Sequence, residues 1–236
     1  MNTSKTQEVH AIVDMSGSMN GKQQDTIGGL MANLDELKSN LEEDYNINYS
    51  IKYFDDKEEL VLKSTNLTSL TDEQLSNIYG KYKPRGQTAL LDALGHSINY
   101  FVSKKLLNND SFDSCIIYVT TDGLENCSKN YNYQTISEMI KNAEENQNIK
   151  ILYLGANQDA IAEASKYGIP VDRAINYSEN SDNVAAVYRG AASVANRTRS
   201  TGETQFSQVE RTASCTQTNR ELSPPPIRRG SRMRSE

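Results

Sequence analysis

A short run of oxygen-bearing side chains is the first place in this sequence where chemistry could occur. The run is Asp14-Met15-Ser16-Gly17-Ser18-Met19, and it follows the apolar stretch at residues 8–13. One carboxylate and two hydroxyls on a tight turn are hard oxygen ligands, which suit Mg²⁺ or Mn²⁺ better than a metal that prefers thiolates. Gly17 permits the sharp turn that would direct both hydroxyls inward.

Two later segments offer the same kinds of ligand. Asp122, in Thr121-Asp122-Gly123, comes directly after the apolar run at residues 115–120. If that run and the first strand are parallel neighbours, Asp14 and Asp122 emerge at the same edge of the sheet, where ligands bind in doubly wound folds. Thr88 adds a third hydroxyl from a loop before a predicted helix. The sequence therefore predicts one metal site with five residues: Asp14, Ser16, Ser18, Thr88 and Asp122.

The scaffold that must position these residues follows from the hydrophobic pattern. Period-2 and continuous apolar runs predict strands, and 3.6-residue periodicity predicts helices. We expect strands over residues 8–13, 47–54, 59–63, 115–120 and 149–154, and helices over 24–41, 70–79, 89–107, 133–146, 159–167 and 180–196. This alternation predicts an α/β fold with a doubly wound (Rossmann-like), mostly parallel sheet and helices on both faces. The strand at 59–63 follows its predecessor closely enough to form one antiparallel edge strand.

These residues resemble the metal-ion-dependent adhesion site (MIDAS) of the von Willebrand factor type A (vWA) family. That site has Asp-x-Ser-x-Ser on one loop, Thr on a second and Asp on a third, and all five elements match. The resemblance covers about residues 8–196, and the stretches 121–128 and 155–160 look most like compact single-domain members found in bacteria, phages and large viruses.

The resemblance implies how such a site works. The Ser hydroxyls, and often the Thr hydroxyl, would bind the ion directly, while the Asp residues would act largely through bound waters. A carboxylate from a protein partner would then fill the remaining coordination position. The physical chemistry agrees, because an ion held mainly by neutral hydroxyls keeps enough positive charge to attract an external acidic group.

Simpler explanations exist for each residue taken alone. Asp-x-Ser-x-Ser can serve as a helix N-cap, and Asp122-Gly123 can be an ordinary turn, but their joint placement with Thr88 on three loops favours the metal site. Glu125 either contacts a metal-bound water or is a solvated loop acid. Asp92 is explained by the helix dipole. His10 and His96 are expected to be structural rather than catalytic, because neither has a nucleophile beside it.

Composition argues against several classes of function. The net charge of -6 disfavours a nucleic-acid groove in the folded part, because phosphate contacts need clustered Lys and Arg. The three cysteines form no CxxC pair, which argues against a disulfide framework or a zinc knuckle. A polar start and the lack of a long apolar run predict neither signal peptide nor membrane helix. We therefore expect a cytoplasmic protein, or one in the host cytoplasm or virion if its source is viral.

The domain organisation expected from the sequence is simple. Residues 1–7 form a short extension, residues 8–198 form one vWA-like domain, and residues 199–236 form a disordered tail with Arg, Ser and Pro but no periodic apolar face. The tail is either a solvated terminus without a task or a docking segment.

The leading functional hypothesis is a non-enzymatic protein-binding module that uses Mg²⁺ or Mn²⁺ to hold an Asp or Glu of its partner. One alternative is a structural component of a larger assembly or viral particle. Another is a Mg²⁺-dependent phosphoryl-transfer enzyme. The enzyme is disfavoured because an aspartyl-nucleophile phosphatase has a second Asp two residues after the first, where this chain has Ser16, and because no GxxxxGK[ST] loop is present.

Overall fold

The computed structural model describes residues 5–107, 112–156 and 159–215. In these residues one sheet is formed by six strands: β1 (Lys5–Asp14), β2 (Tyr45–Phe54), β3 (Glu58–Asn66), β4 (Ser114–Thr121), β5 (Ile149–Ala156) and β6 (Ala174–Tyr177). The strand order is β3-β2-β1-β4-β5-β6. Only the edge pair β2–β3 is antiparallel among these strands, so the predicted mostly parallel sheet with one antiparallel edge strand is confirmed.

The middle of the sheet explains the apolar character of its strands. All eight residues of β4 are buried, as expected for a parallel strand covered on both faces. β4 pairs in parallel with β1, and Val13 lies opposite Thr120. The carboxyl ends of these two neighbouring strands therefore meet at one edge of the sheet, which places Asp14 next to Thr121 and near Asp122.

Helices cover both faces of the sheet: α1 (Gln23–Ser39), α2 (Asp72–Tyr79), α3 (Leu90–Leu107), α4 (Tyr133–Asn146), α5 (Ala160–Lys166), α6 (Ser181–Ser200) and α7 (Gln208–Ala213). Alternate residues of β1 point to opposite faces, so Ala11 and Val13 join the core under α1, α2 and α6, whereas Ile12 joins the core under α3, α4 and α5. This two-sided core is the doubly wound arrangement expected from the sequence. None of the helices in the described part combines the length and hydropathy needed to cross a bilayer.

Close packing of α1 on α6 fixes the two longest helices of the first face. A Cβ added at Gly29 would lie 2.5 Å from the Tyr188 ring, so only glycine allows this approach. The Asn33 amide also donates a hydrogen bond of 2.7 Å to the main-chain oxygen of Tyr188. The middle of α1, the helix that follows the Asp-x-Ser-x-Ser loop, is therefore held closely against α6.

The packed chain extends beyond both expected boundaries. β1 begins at Lys5, inside the expected extension over residues 1–7, and α6 continues past residue 198 to Ser200. Phe206 is 4% exposed and belongs to the core under α6. In α7, Glu210 accepts hydrogen bonds from the Arg197 guanidinium at 2.8 and 2.9 Å. Residues 199–215 thus pack on the domain, mostly through polar contacts that apolar periodicity does not detect.

Parts of the sequence predictions fall outside the described residues. These are residues 1–4 of the expected extension, residues 157 and 158 of the stretch 155–160, and residues 216–236 of the expected tail. The four-residue strand β6 and the six-residue helix α7 were not predicted, because elements this short give too few residues to establish a period.

Candidate metal centre

The loop after β1 is shaped by the side chain of Asp14. This residue is fully buried at the end of β1, and its Oδ1 accepts a hydrogen bond of 2.7 Å from the backbone N–H of Ser16. A carboxylate that accepts from the amide two residues ahead closes a tight turn. The Oγ atoms of Ser16 and Ser18 consequently lie 3.0 Å apart, sharing a hydrogen bond. Both hydroxyls therefore point to the same side of the loop.

The end of β4 joins this loop through two short hydrogen bonds. Ser18 Oγ donates to Asp122 Oδ1 at 2.6 Å, and Thr121 Oγ1 donates to Asp14 Oδ2 at 2.6 Å. Thr121 is buried as the last residue of β4, so its hydroxyl lies where the two strand ends meet. The two carboxylates predicted from the sequence are thus parts of one hydrogen-bonded group.

Thr88 approaches the same group from the loop before α3. It is 3% exposed, and its backbone exchanges two hydrogen bonds of 3.0 Å with Asn126, in the loop that follows Asp122. A Cβ added at Gly123 would lie 3.3 Å from Thr88 Oγ1, 3.5 Å from Ser18 Oγ and 3.9 Å from Asp14 Oδ2. Oxygen atoms from two of the loops therefore converge beside Gly123 in the third, and all five predicted site residues are brought together.

The donor set fits a hard divalent cation. Two carboxylates and three hydroxyls are oxygen ligands of the kind that Mg²⁺ and Mn²⁺ prefer. In the described residues no group of three or more His, Cys, Asp or Glu side chains could hold a metal. A set made only of oxygen ligands suits a hard cation better than a metal that prefers thiolates.

Burial disfavours the charged form of the Asp14 carboxylate. The pKa of Asp14 is raised from 3.8 to about 6, first because burial disfavours the charged carboxylate and also because Asp122 is nearby. Hydrogen bonds from Thr121 and Ser16 oppose this shift without cancelling it. A buried carboxylate with a raised pKa gains from a nearby cation, since opposite charge favours the ionised form.

A basic side chain at the rim was missed by the sequence analysis. The Lys22 ammonium contacts Asp122 Oδ2 and also Glu179 Oε1, which precedes α6. Thr121 was likewise given no role. Thr121 could have been found from the sequence, because it is a polar residue at the end of a buried strand, next to Asp122. Lys22 could not, because its contact with Glu179 joins residues 157 positions apart.

Two acids near the centre hold the Asp122 loop in place. Glu125 accepts hydrogen bonds from the backbone N–H groups of Leu91, Cys127 and Ser128 at 2.7 to 2.9 Å. Asp92 accepts from the N–H groups of residues 129–131 at 2.9 to 3.1 Å. Both carboxylates satisfy backbone donors of the β4–α4 connection, so neither a solvated acid nor the helix dipole alone explains them.

His10 has the structural role expected of it. It lies between Ser50 and Ser97, whose hydroxyls are 2.7 and 3.2 Å from its ring nitrogens. Ser97 donates its own proton to the carbonyl of Ala93, so it accepts from His10 Nε2. Burial, followed by the positive charge of Lys52, lowers the pKa of His10 to about 3 and keeps the ring neutral.

Comparison with known proteins identifies the fold of the chain but no sequence family. No family model matches the chain, and no curated protein matches it. Among solved structures, it is similar to a von Willebrand factor type A protein from Catenulispora acidiphila, with 16% identity and a TM-score of 0.61 over 82% of this chain and 43% of the other. It is also similar to the pilus adhesin SpaC from Lactobacillus rhamnosus GG, with 14% identity and a TM-score of 0.62 over 82% of this chain and 30% of the other.

A third similar structure contains zinc. It is proximal thread matrix protein 1 from the mussel byssus with a zinc-occupied MIDAS motif, with 14% identity and a TM-score of 0.57 over 82% of this chain and 46% of the other. The chain spans less than half the length of each of these three proteins. At such low identity the likeness shows the fold, and the chain therefore has the fold of a von Willebrand factor type A domain.

Proposed function

We propose that this chain is a protein-binding module with a metal-ion-dependent adhesion site. Five residues would hold one Mg²⁺ or Mn²⁺: Asp14, Ser16, Ser18, Thr88 and Asp122. An Asp or Glu of a protein partner would complete the coordination. The observation that carries this proposal is the convergence of carboxylate and hydroxyl oxygens around the position of a missing Cβ at Gly123.

The residues of the chain divide the work according to their hydrogen bonds. Both oxygens of Asp14 already accept hydrogen bonds, from Ser16 N–H and Thr121 Oγ1, so Asp14 orients its loop and supplies negative charge. Ser16 and Ser18 keep free lone pairs on hydroxyls that the loop aims inward. When bound, the ion would supply the positive charge that attracts an external carboxylate.

A passive structural role explains the centre less well. Asp14 is buried with its pKa raised to about 6, so its charge at neutral pH opposes folding. A scaffold without a ligand would gain stability by replacing it, whereas a cation site needs the charge. The similarity in fold to a pilus adhesin and to a protein with a zinc-occupied MIDAS motif also supports a binding function.

A phosphoryl-transfer enzyme is also explained less well. The position two residues after Asp14, where such an enzyme needs its second carboxylate, is held by Ser16. Its backbone N–H binds Asp14 and its hydroxyl binds Ser18, so the residue builds the turn. We therefore propose a non-enzymatic function.

Calorimetry with Mg²⁺ and Mn²⁺ tests the metal site directly. The parent should bind one ion, and Asp122→Ala should weaken binding by about 10- to 100-fold, the loss typical when a supporting carboxylate is removed. Asp172→Ala is the control, because Asp172 is an exposed acid before β6, at the opposite edge of the sheet. If Asp122→Ala binds Mg²⁺ as well as the parent does, the site assignment is wrong.

The partner is tested separately by capture from native lysate in Mg²⁺ and in excess chelator. A protein retained by the parent in Mg²⁺ should be released by chelator and should be retained poorly by Thr88→Ala. Retention that is equal with and without chelator would show that the ion takes no part in the contact.

A further inference from the structure

Lys22 places a positive charge at the rim of the candidate metal centre. It directly precedes α1, and its ammonium contacts one oxygen of Asp122, while the other oxygen of Asp122 accepts the hydroxyl of Ser18 at 2.6 Å. The side chain of Asp122 is 3% exposed and that of Lys22 is 28% exposed. A nearly buried carboxylate is therefore shared between the centre and a lysine that reaches solvent.

The same ammonium contacts a second acid on the other side. Glu179 lies just before the N-cap of α6, and its side chain is 29% exposed. Lys22 thus connects the Asp122 loop to the turn before α6. The charge that Lys22 presents to the centre is reduced by Glu179, because two carboxylates share one ammonium.

We propose that Lys22 sets the affinity of this centre for divalent cations, acting as the counter-charge of Asp122 in the ion-free protein and opposing an incoming cation. Glu179 moderates that opposition by neutralising part of the Lys22 charge. The inference rests on the proposed metal site and adds a residue outside its five ligands.

Lys22 has opposite effects on the ion-free and the ion-bound protein, because it stabilises the first and disfavours the second. Without an ion, Asp122 is nearly buried, and loss of its ammonium partner leaves a carboxylate poorly compensated beside Asp14, which lowers stability. With a divalent ion on the neighbouring oxygens, Lys22 and the ion carry like charge and repel. A lysine that only positioned Asp122 would support both states, so the signs distinguish the two roles.

Electrostatics sets the size of the effect. Lys22 and a divalent ion roughly 5 Å apart would change the affinity by about fivefold even in a water-like dielectric of about 80 screened by about 0.1 M salt, so fivefold is the smallest effect expected at this nearly buried centre. An effect of this size is well within the range of titration calorimetry.

The experiment compares three variants of the full chain by Mg²⁺ calorimetry and by melting temperature in chelator. Lys22→Met should melt lower than the parent in chelator and bind Mg²⁺ at least about fivefold more tightly. Glu179→Gln should bind Mg²⁺ more weakly, because the Lys22 charge is then less compensated. Lys166→Met is the matched control, since Lys166 forms an ion pair of 2.6 Å with Glu163 in α5, and its loss should leave Mg²⁺ affinity unchanged.

The outcomes separate this inference from the proposed function. Weaker or unchanged Mg²⁺ binding by Lys22→Met, in a parent that binds Mg²⁺, overturns the inference and leaves the metal site standing. Binding by Lys22→Met but not by the parent supports the inference strongly. If neither the parent nor Lys22→Met binds Mg²⁺, both the proposed metal site and the role of Lys22 are wrong.

Discussion

Replacing Asp14 with asparagine should make the metal-free protein more stable while removing its metal binding. The pKa of Asp14 is raised from 3.8 to about 6, mainly by burial, so the folded protein holds the proton more tightly than the unfolded chain does. The stability that this group contributes is therefore fully present below pH 3.8 and is lost as the pH rises through about 6. At pH 7 the charge opposes folding.

The size of the gain follows from the pKa shift and the local hydrogen bonds. A shift from 3.8 to about 6 corresponds to about 3 kcal/mol between the charged and neutral forms. The new asparagine keeps an acceptor for Ser16 N–H but turns an amide donor toward Thr121. The Thr121 hydroxyl must then redirect to the carbonyl of Gly123, 3.1 Å away, at a cost of about 1 kcal/mol. A net gain of about 2 kcal/mol remains.

Urea denaturation in chelator, followed by circular dichroism at pH 7 and pH 4, measures this gain. Asp14→Asn should exceed the parent at pH 7, and its advantage should shrink at pH 4. Saturating Mg²⁺ should stabilise the parent by mass action and leave the variant unchanged. Asp92→Asn is the control, because Asp92 accepts three backbone N–H groups and its loss should destabilise by about 2 kcal/mol.

The reasoning would be refuted by either of two results. In chelator at pH 7, an Asp14→Asn protein less stable than the parent would mean that the carboxylate is stabilising and that burial is not the dominant influence. A variant that Mg²⁺ still stabilises as much as the parent would mean that Asp14 is not part of the metal centre.

Three further predictions test the C-terminal segment that packs on the domain, the buried His10 and the proposed metal ligand Thr88. Deleting residues 199–236 should lower the free energy of unfolding by about 3 kcal/mol, because it exposes the surface under Phe206. Truncation after residue 215 keeps that contact and is the control, and equal melting temperatures of the two truncated proteins would contradict the prediction. His10→Asn should reduce the loss of stability below pH 6.5, because the folded protein, with a His10 pKa of about 3, excludes a proton that the unfolded chain accepts. In urea denaturation between pH 6 and pH 4 the parent should lose about 1.4 kcal/mol more per pH unit than the variant, and equal pH dependence of the two proteins would contradict this. Thr88→Ala should weaken Mg²⁺ binding in calorimetry while lowering the free energy of unfolding by only about 1 kcal/mol, and a large loss of stability would show that Thr88 mainly serves packing.

The convergence of the five proposed site residues could be predicted because these residues lie at or near the ends of regular elements. Asp14 and Asp122 come directly after the buried runs that become β1 and β4, and parallel pairing of those strands brings their ends together. Thr88 precedes a long helix whose pattern is clear. When polar residues lie at the ends of predictable parallel strands, strand order places them at one edge of the sheet.

What the sequence did not predict depends on contacts between distant residues. The Lys22–Glu179 contact joins the starts of α1 and α6, which meet only because these helices pack on one face of the sheet. The polar contacts that hold α7 on the domain, such as Arg211 to the carbonyl of Ala174 at 2.8 Å, have no periodic signature. Hydrophobic patterning therefore locates the core and the strand ends, while side chains that pair across the finished fold are found only in the structure.

The hydrogen bonds of the centre indicate that it is organised before any ligand arrives. Ser16, Ser18 and Asp122 form a continuous series of contacts that continues through Lys22 to Glu179. Ordering these side chains in advance lowers the entropy lost on binding, as does a Thr88 loop already tied to Asn126. Burial of Asp14 is the destabilising part of this arrangement, and an apolar core on both faces of the sheet offsets it. A cation bound nearby would remove the free-energy cost of burying the Asp14 charge. The free energy by which this charge destabilises the ion-free protein would therefore contribute to the affinity for the ion.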